Sequence, residues 1–102
     1  MVEYDKEGYL RNLDDWNEEV AQSIALNSGI KLTQSHWEII TLLRRFYKRY
    51  QVSPATRALT SYVKRELGAD KGKSTYLMRL FGGSAAKTAA KISGLPKPDN
   101  CL

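Results

Sequence analysis

Apolar residues recur at helical spacing along most of this chain, and the pattern is clearest between residues 34 and 50. At about 100° per residue, the apolar side chains of this segment share one broad arc and the basic ones lie opposite. The apolar arc holds Ile39, Ile40, Leu42, Leu43, Phe46, Tyr47 and Tyr50, and the basic arc holds Arg44, Arg45, Lys48 and Arg49. With Thr33 as its cap, we predict a helix from about Gln34 to Tyr50 whose apolar side forms the centre of the core.

Start and stop signals predict four further helices. The first is capped by Asp14 or Asp15 and ends at residues 27–29. Ser53 caps the next, with Pro54 as its first helical residue, and Gly68 stops it. The last two are predicted at residues 75–81 and 85–93, capped by Ser74 and Ser84. The fold class is therefore mostly α, a small orthogonal bundle of about five helices.

Two shorter features complete this interpretation. Residues 1–10 mix charged and apolar positions around Gly8, which predicts a short strand or β-hairpin, or an ordered lead-in to the bundle. His36 lies in the first turn of the longest helix, close to its apolar arc. We interpret it as a packed or capping side chain, because the sequence names no partner for a ligand or a general base.

The C-terminus differs from the rest of the chain. Pro96 and Pro98 cannot donate to a backbone ladder, and each disfavours helical geometry in the residue before it. Residues 95–98 should therefore leave the body as an extended, mobile arm. The only cysteine, Cys101, is the next-to-last residue. We divide the chain into a helical carrier domain, residues 1–94, and a flexible arm, residues 95–102.

Charge divides the chain unevenly. The 102 residues carry a net charge of +5. Residues 1–30 hold two basic against seven acidic residues, whereas residues 31–102 hold fourteen against four. A basic body suits an anionic partner, either nucleic acid or an acidic protein, but it is equally consistent with solvated helix faces.

Several classes of protein are excluded. No apolar run approaches the ~18 residues that a membrane-spanning helix needs, and the start lacks the apolar stretch of a signal peptide. One cysteine and one histidine make a metal site unfavourable, and no cofactor is expected. Gly72-Lys73-Ser74 is not a phosphate loop, because Leu67 stands where the first glycine should be. The cytoplasm, where thiols stay reduced, is the expected compartment.

A single exposed thiol can attack a sulfur on another protein, hold it as a persulfide and pass it on. The thiolate is the nucleophile, so a neighbouring cation would help by lowering the pKa of the thiol. Lys97 is close enough in the sequence to be the cation that lowers this pKa. Four other residues could take that role only if the arm folds back onto the body: Arg57, Arg79, Lys87 and Lys91. An incidental terminal cysteine is the alternative.

The chain resembles the DsrC/TusE family of sulfur carriers over nearly its whole length. Most of the motifs lie in the body: Glu7-Gly8-Tyr9-Leu10, His36-Trp37-Glu38, Phe46-Tyr47, Ser53-Pro54-Ala55 with Arg57, and Tyr76-Leu77 with Arg79-Leu80-Phe81. The most specific is Lys91-Ile92-Ser93-Gly94-Leu95-Pro96-Lys97-Pro98, followed by the penultimate Cys101. The resemblance implies a mostly helical body with a mobile arm that bears the reactive cysteine.

The resemblance also implies a role. Members that serve dissimilatory sulfite reductase carry a second cysteine where this chain has Ala90, so their disulfide or trisulfide chemistry is not expected. The one-cysteine pattern resembles the TusE branch, a relay that takes persulfide sulfur from a TusBCD complex and hands it towards the thiouridylase MnmA, which makes 2-thiouridine in tRNA. On this interpretation Cys101 carries the persulfide, Pro96 and Pro98 stiffen the arm, and the basic body offers a docking surface for a partner or tRNA.

Two alternatives stay open at this point. The chain could carry sulfur in another sulfur-trafficking or sulfur-oxidation pathway. It could instead be a helix-turn-helix-like regulator or tRNA-binding module, because two helices with a short connection and a basic face are typical of such proteins. The basic residues of that second hypothesis are Arg44, Arg45, Lys48, Arg49, Lys64 and Arg65.

Overall fold

A computed structural model describes residues 1–99, and the predicted persulfide carrier Cys101 lies outside the described residues. The mostly α, five-helix fold is confirmed. After a short 3-10 turn at Leu13–Asp15, the helices are α1 (Glu18–Asn27), α2 (Gln34–Tyr50), α3 (Thr56–Leu67), α4 (Ser74–Phe81) and α5 (Ala85–Ile92).

The core forms around α2 and α5 in different ways. The apolar arc of α2 supplies bulky buried side chains, with Ile39 and Leu43 fully enclosed. Helix α5 is alanine-rich and packs against each of the other four helices. Its small buried side chains let the other helices approach closely, so α5 lies at the centre of the helix packing. These residues are Ala85, Ala86, Ala89 and Ala90.

The predicted cap of α2 is confirmed, together with the structural role of the histidine. Thr33 precedes the helix, and its backbone N–H donates to His36 Nδ1 at 3.0 Å. The other ring nitrogen, Nε2, lies 2.7 Å from the Leu80 carbonyl oxygen, and the ring meets Phe81 edge-on. His36 is buried and bonded through both nitrogens, so it ties α2 to the end of α4.

Three predicted caps are wrong. Asp14 and Asp15 lie in the 3-10 turn, and α1 is capped instead by Asn17, whose side-chain oxygen accepts from the Val20 N–H at 2.9 Å. Helix α3 begins at Thr56 rather than Pro54, with Ala55 at the cap position, and the predicted cap Ser53 donates its hydroxyl to the Pro96 carbonyl. In α4, Ser74 is the first helical residue and Lys73 takes the cap position.

The N-terminal segment forms less than a hairpin. A single antiparallel bridge joins Tyr4 to Leu10, and residues 1–99 contain no strand. The Asp5 side chain closes the turn between them, since its Oδ1 accepts from the N–H groups of Glu7 and Tyr9, both at 2.9 Å. These bonds hold the turn as a compact loop on the bundle.

Residues 1–99 contain no helix that is long and apolar enough to cross a membrane. The same part of the chain contains no cluster of histidine and acidic side chains that could hold a metal ion. The predicted absence of a metal concerns the whole chain and stays a prediction.

Candidate functional site

The candidate site is built around the point where α5 ends and the arm begins. The Gly94 N–H bonds to the Lys91 carbonyl at 3.1 Å and the Leu95 N–H to the Ala90 carbonyl at 2.9 Å. These two bonds, with Gly94 at φ +72°, form a Schellman motif. The chain therefore leaves α5 in a fixed direction, and Ala90 is fully buried beneath it.

Trp16 packs against this turn. Its indole Nε1 donates to the Ile92 carbonyl at 2.9 Å. A Cβ atom added to Gly94 would overlap the Trp16 ring, so a glycine is required there by packing as well as by its positive φ. Trp16 directly follows the predicted caps Asp14 and Asp15 and would fall within the first helix as predicted, but it lies before α1 and secures the root of the arm.

Arg44 holds the same turn from the other side. Its guanidinium carbon lies 3.8 Å from the centre of the Trp16 ring, and Nη1 donates to the Ser93 carbonyl at 2.6 Å. Partial burial lowers the pKa of Arg44 from its ordinary value. The predicted basic arc of α2 therefore loses its first member, because Arg44 is an internal clamp rather than a surface cation.

The described part of the arm has no regular secondary structure, and it lies against the body rather than leaving it. Leu95 is only 2% exposed and belongs to the core, and Pro98 is also buried. The buried Ser53 hydroxyl donates to the Pro96 carbonyl at 2.5 Å. Lys97 Nζ pairs with Glu7 Oε2 at 2.9 Å. The arm is therefore fastened as far as Pro98.

The N-terminal turn completes the support. Lys91 Nζ lies 5.1 Å from the centre of the Tyr9 ring, and the Tyr9 hydroxyl donates to the Lys87 carbonyl at 3.3 Å. We call the residues that hold segment 91–97 the arm cradle. They come from three distant parts of the sequence: Glu7, Tyr9, Trp16, Arg44 and Ser53.

The predicted cations are placed differently from one another. Lys91 and Lys97 contact the arm cradle, and Lys87 is exposed one helical turn before Lys91. Arg57 is exposed. The residue before it, Thr56, lines a shallow groove of about 210 Å³ together with Lys87. Arg79 is exposed and lies 5.9 Å over Tyr76, and no contact is described between it and the arm.

Fastening the arm at Pro98 limits the reach of the thiol. Cys101 is three residues further along the chain. Three residues of chain span at most roughly 11 Å, at about 3.3–3.6 Å per extended residue. A partner that contacts Cys101 must therefore approach this end of the body closely, or the arm must first leave its cradle.

The cradle does not follow from the sequence as a functional unit. Glu7, Tyr9 and Ser53 belong to separate motifs, and the local pattern favours Ser53 as a helix cap. Arg44 falls in the basic arc of a periodic helix. Three cradle residues, Glu7, Tyr9 and Ser53, belong to motifs that carry the family resemblance. These motifs are far apart in the sequence, so a shared role would require them to meet in the fold, and this is the signal that could have found them.

Known proteins resemble this chain over its whole length. The family model described as DsrC like protein matches residues 1–102. The chain belongs to this family. The DsrC-like chain is 50% identical to a "Sulfurtransferase TusE homolog" of Haemophilus influenzae, over 99% of this chain and 93% of that protein. It is 46% identical to "Sulfurtransferase TusE" of Photorhabdus laumondii, over 99% of this chain and 91% of the relative.

Solved structures show the same fold. DsrC of Allochromatium vinosum superimposes with a TM-score of 0.88 at 47% identity, covering 97% of this chain and 88% of that one. The oxidized gamma-subunit of dissimilatory sulfite reductase (DsrC) from Archaeoglobus fulgidus gives a TM-score of 0.85 at 37% identity, covering 99% and 92%. The DsrC-like body is therefore shared by proteins named for both sulfur transfer and sulfite reduction.

Proposed function

We propose that this DsrC-like protein is a sulfur carrier that holds sulfur on Cys101 as a persulfide and delivers it to another protein. The observation that carries the proposal is the position of the only cysteine, the penultimate residue of an arm whose root is built into the core. A thiol there cannot form an internal disulfide, because the chain has no second cysteine. Its sulfur chemistry must therefore be intermolecular.

The step needs no cofactor. The Cys101 thiolate attacks the outer sulfur of a donor cysteine persulfide, the S–S bond of the donor breaks, and the donor leaves as a thiolate. Cys101 now carries the persulfide, and an acceptor thiolate takes the outer sulfur in the same way. Each transfer exchanges one S–S bond for another, with no net oxidation. The protein acts as a relay, and a reducing compartment such as the cytoplasm suits its thiol.

The relatives named sulfurtransferase TusE support a role with protein partners in a sulfur relay. We propose a donor resembling the TusBCD complex and an acceptor resembling the thiouridylase MnmA with its tRNA, so that the sulfur ends in 2-thiouridine. The alternative acceptor belongs to another sulfur-trafficking pathway. Lys97, Lys91, Lys87, Arg57 and Arg79 are proposed as supporting or docking residues, with Lys97 nearest to Cys101 in sequence.

The test is sulfur loading followed by intact-mass measurement. Incubation with a persulfidated donor should add one sulfur atom to the wild-type chain, and a thiol reductant should remove it. The matched control, Cys101→Ser, should gain nothing. A sulfur atom on Cys101→Ser, or none on the wild type with any donor complex, would overturn the proposal. Transfer from the loaded protein to an acceptor with and without tRNA separates the two pathways.

A further inference from the structure

A basic groove lies beyond the arm cradle, between the C-terminal half of α2 and α3. It has a volume of about 450 Å³. We call it the Arg–Tyr groove, and its defining residues are Arg45, Lys48, Arg49, Tyr50, Tyr62 and Arg65. None of the contacts described above for the arm uses these side chains.

The charges of the groove are poorly balanced. Glu66 is the one carboxylate that lines it among the described residues, and it pairs with Arg45 and Arg65, each at 3.4 Å. The two arginine side chains remain 59% and 66% exposed. Lys48 and Arg49 have no carboxylate partner within residues 1–99. The groove therefore presents a net positive surface to an anionic partner.

Aromatic rings lie among these cations. Phe46 packs against Tyr50 and Tyr62, with ring centres 4.6 and 5.2 Å apart. The guanidinium of Arg49 lies 5.5 Å from the Tyr50 ring centre, and that of Arg65 lies 5.1 Å from Tyr62. Tyr50 is 46% exposed although it belongs to a packed aromatic cluster. Exposed rings between cations are typical of sites that stack bases while binding phosphates, whereas an acidic peptide needs only the cations.

The groove continues towards the thiol-bearing arm. Arg45 and Lys48 also line a second groove of about 580 Å³, whose lining includes Leu95 at the arm root. A partner on the Arg–Tyr groove would thus extend to the side of the body from which the arm departs.

We infer that the Arg–Tyr groove binds RNA directly, with phosphates on its arginines and lysine and an unpaired base or ribose against Tyr50. The inference rests on the proposed function, in which the RNA is the tRNA that receives the sulfur. It goes further by giving the carrier its own contact with that RNA, besides any contact made through an acceptor protein.

The experiment measures binding of the full-length protein to an unmodified tRNA transcript by fluorescence anisotropy at several salt concentrations. For three or four phosphates, log K should fall with log salt at a slope of roughly −2 to −3.5. The variant Arg49→Ala/Arg65→Ala should bind several-fold more weakly, with a slope less steep by about 1.5. The matched control, Lys31→Ala/Lys73→Ala, removes two exposed cations outside the groove and should bind like wild type.

A second variant distinguishes RNA from other polyanions. Tyr50→Ser should weaken tRNA binding roughly five- to tenfold without changing the salt slope, because it removes stacking rather than charge. Polyglutamate or duplex DNA of equal charge should bind more weakly than tRNA and be insensitive to Tyr50→Ser. The inference would be overturned if polyglutamate or duplex DNA bound as tightly as tRNA. It would also be overturned if Arg49→Ala/Arg65→Ala weakened tRNA binding no more than Lys31→Ala/Lys73→Ala does.

The two proposals fail separately. Sulfur loading of Cys101 in the groove variants should equal that of the wild type, and circular dichroism spectra that match the wild type should show that the variants are folded. If loading succeeds and the groove variants still bind tRNA normally, the inference fails and the carrier function stands. If Cys101 takes no sulfur while the groove binds tRNA as described, the carrier function fails and the RNA site stands.

Discussion

The arm cradle and the Arg–Tyr groove are both rich in cations, but they use them in opposite ways. Consecutive residues of α2 belong to the two regions. Arg44 is stacked on Trp16 and bonded to the Ser93 carbonyl, whereas Arg45 is 59% exposed and shares one carboxylate with Arg65. A rotation of about 100° along the helix thus separates a structural arginine from one that is available to a partner.

The other cations of the two regions follow the same division. Around the cradle, Lys91 lies over Tyr9 and Lys97 pairs with Glu7, so each has an internal partner. In the groove the cations outnumber their carboxylate partners. The comparison indicates that positive charge near the arm fixes its geometry, while positive charge in the groove is left for an external anion. Both regions would then serve delivery, the cradle by aiming the thiol and the groove by holding the recipient.

The strongest way to break the cradle is to fill the space beneath the arm root. Gly94→Ala would force a side chain into the Trp16 ring at a position with φ +72°, and should cost about 3 kcal/mol of unfolding free energy. Urea denaturation measures this. In contrast, Gly83→Ala meets nothing within 4 Å and should change stability by less than about 0.5 kcal/mol. Equal stabilities for the two variants would show that Trp16 does not constrain the turn.

The next test compares the neighbouring arginines directly. Arg44→Ala removes a charged donor from the Ser93 carbonyl and the cation over Trp16, so it should destabilise the protein by about 2 kcal/mol. Arg45→Ala removes only an exposed, 3.4 Å ion pair and should cost less than about 0.5 kcal/mol. Thermal and urea unfolding of both variants checks the difference. If Arg45→Ala were the more damaging change, the assignment of the two residues would have to be exchanged.

The limits of α2 could be predicted because its signals are local. Thr33 precedes the segment, the apolar arc is continuous, and both ends agree with the structure. The candidate nucleophile, Cys101, follows in the same way from its solitary position beyond two prolines, and it stays a prediction. Fold class and the candidate nucleophile thus follow from short-range pattern and composition.

The cradle could not be predicted, because its contacts join distant residues. Ser53 fits a helix cap, yet its hydroxyl bonds to a carbonyl 43 residues away. Trp16 fits the period of α1, but it packs on Gly94 instead. Arg44 and Arg45 are chemically identical, and only the burial of one side of α2 separates them. A single sequence shows what each residue can do and not which of several partners it meets.

A smaller effect should follow from loosening the arm without disturbing the turn. Ser53→Ala leaves the Pro96 carbonyl without its donor and should cost about 1 kcal/mol. The more specific readout is the NMR order parameter of the Lys97 amide, which should fall from about 0.85 towards 0.6. Ser61→Ala, an exposed serine of α3, should leave that amide unchanged. An order parameter that is high in both variants would mean that Leu95 and Pro98 alone fix the arm.

The smallest effect concerns the ion pair of the cradle. Glu7→Gln removes the partner of Lys97, but the two side chains are 58% and 45% exposed, so the loss should stay below about 0.5 kcal/mol. The difference from wild type should vanish in about 1 M salt, where charges are screened within roughly 3 Å. Urea unfolding at low and high salt measures this loss, and Glu3→Gln, which removes an exposed carboxylate outside the cradle, should show no salt-dependent change in unfolding free energy. A loss that persists at high salt would mean that Glu7 supports the arm by packing rather than charge, and the cradle would then depend even less on its cations.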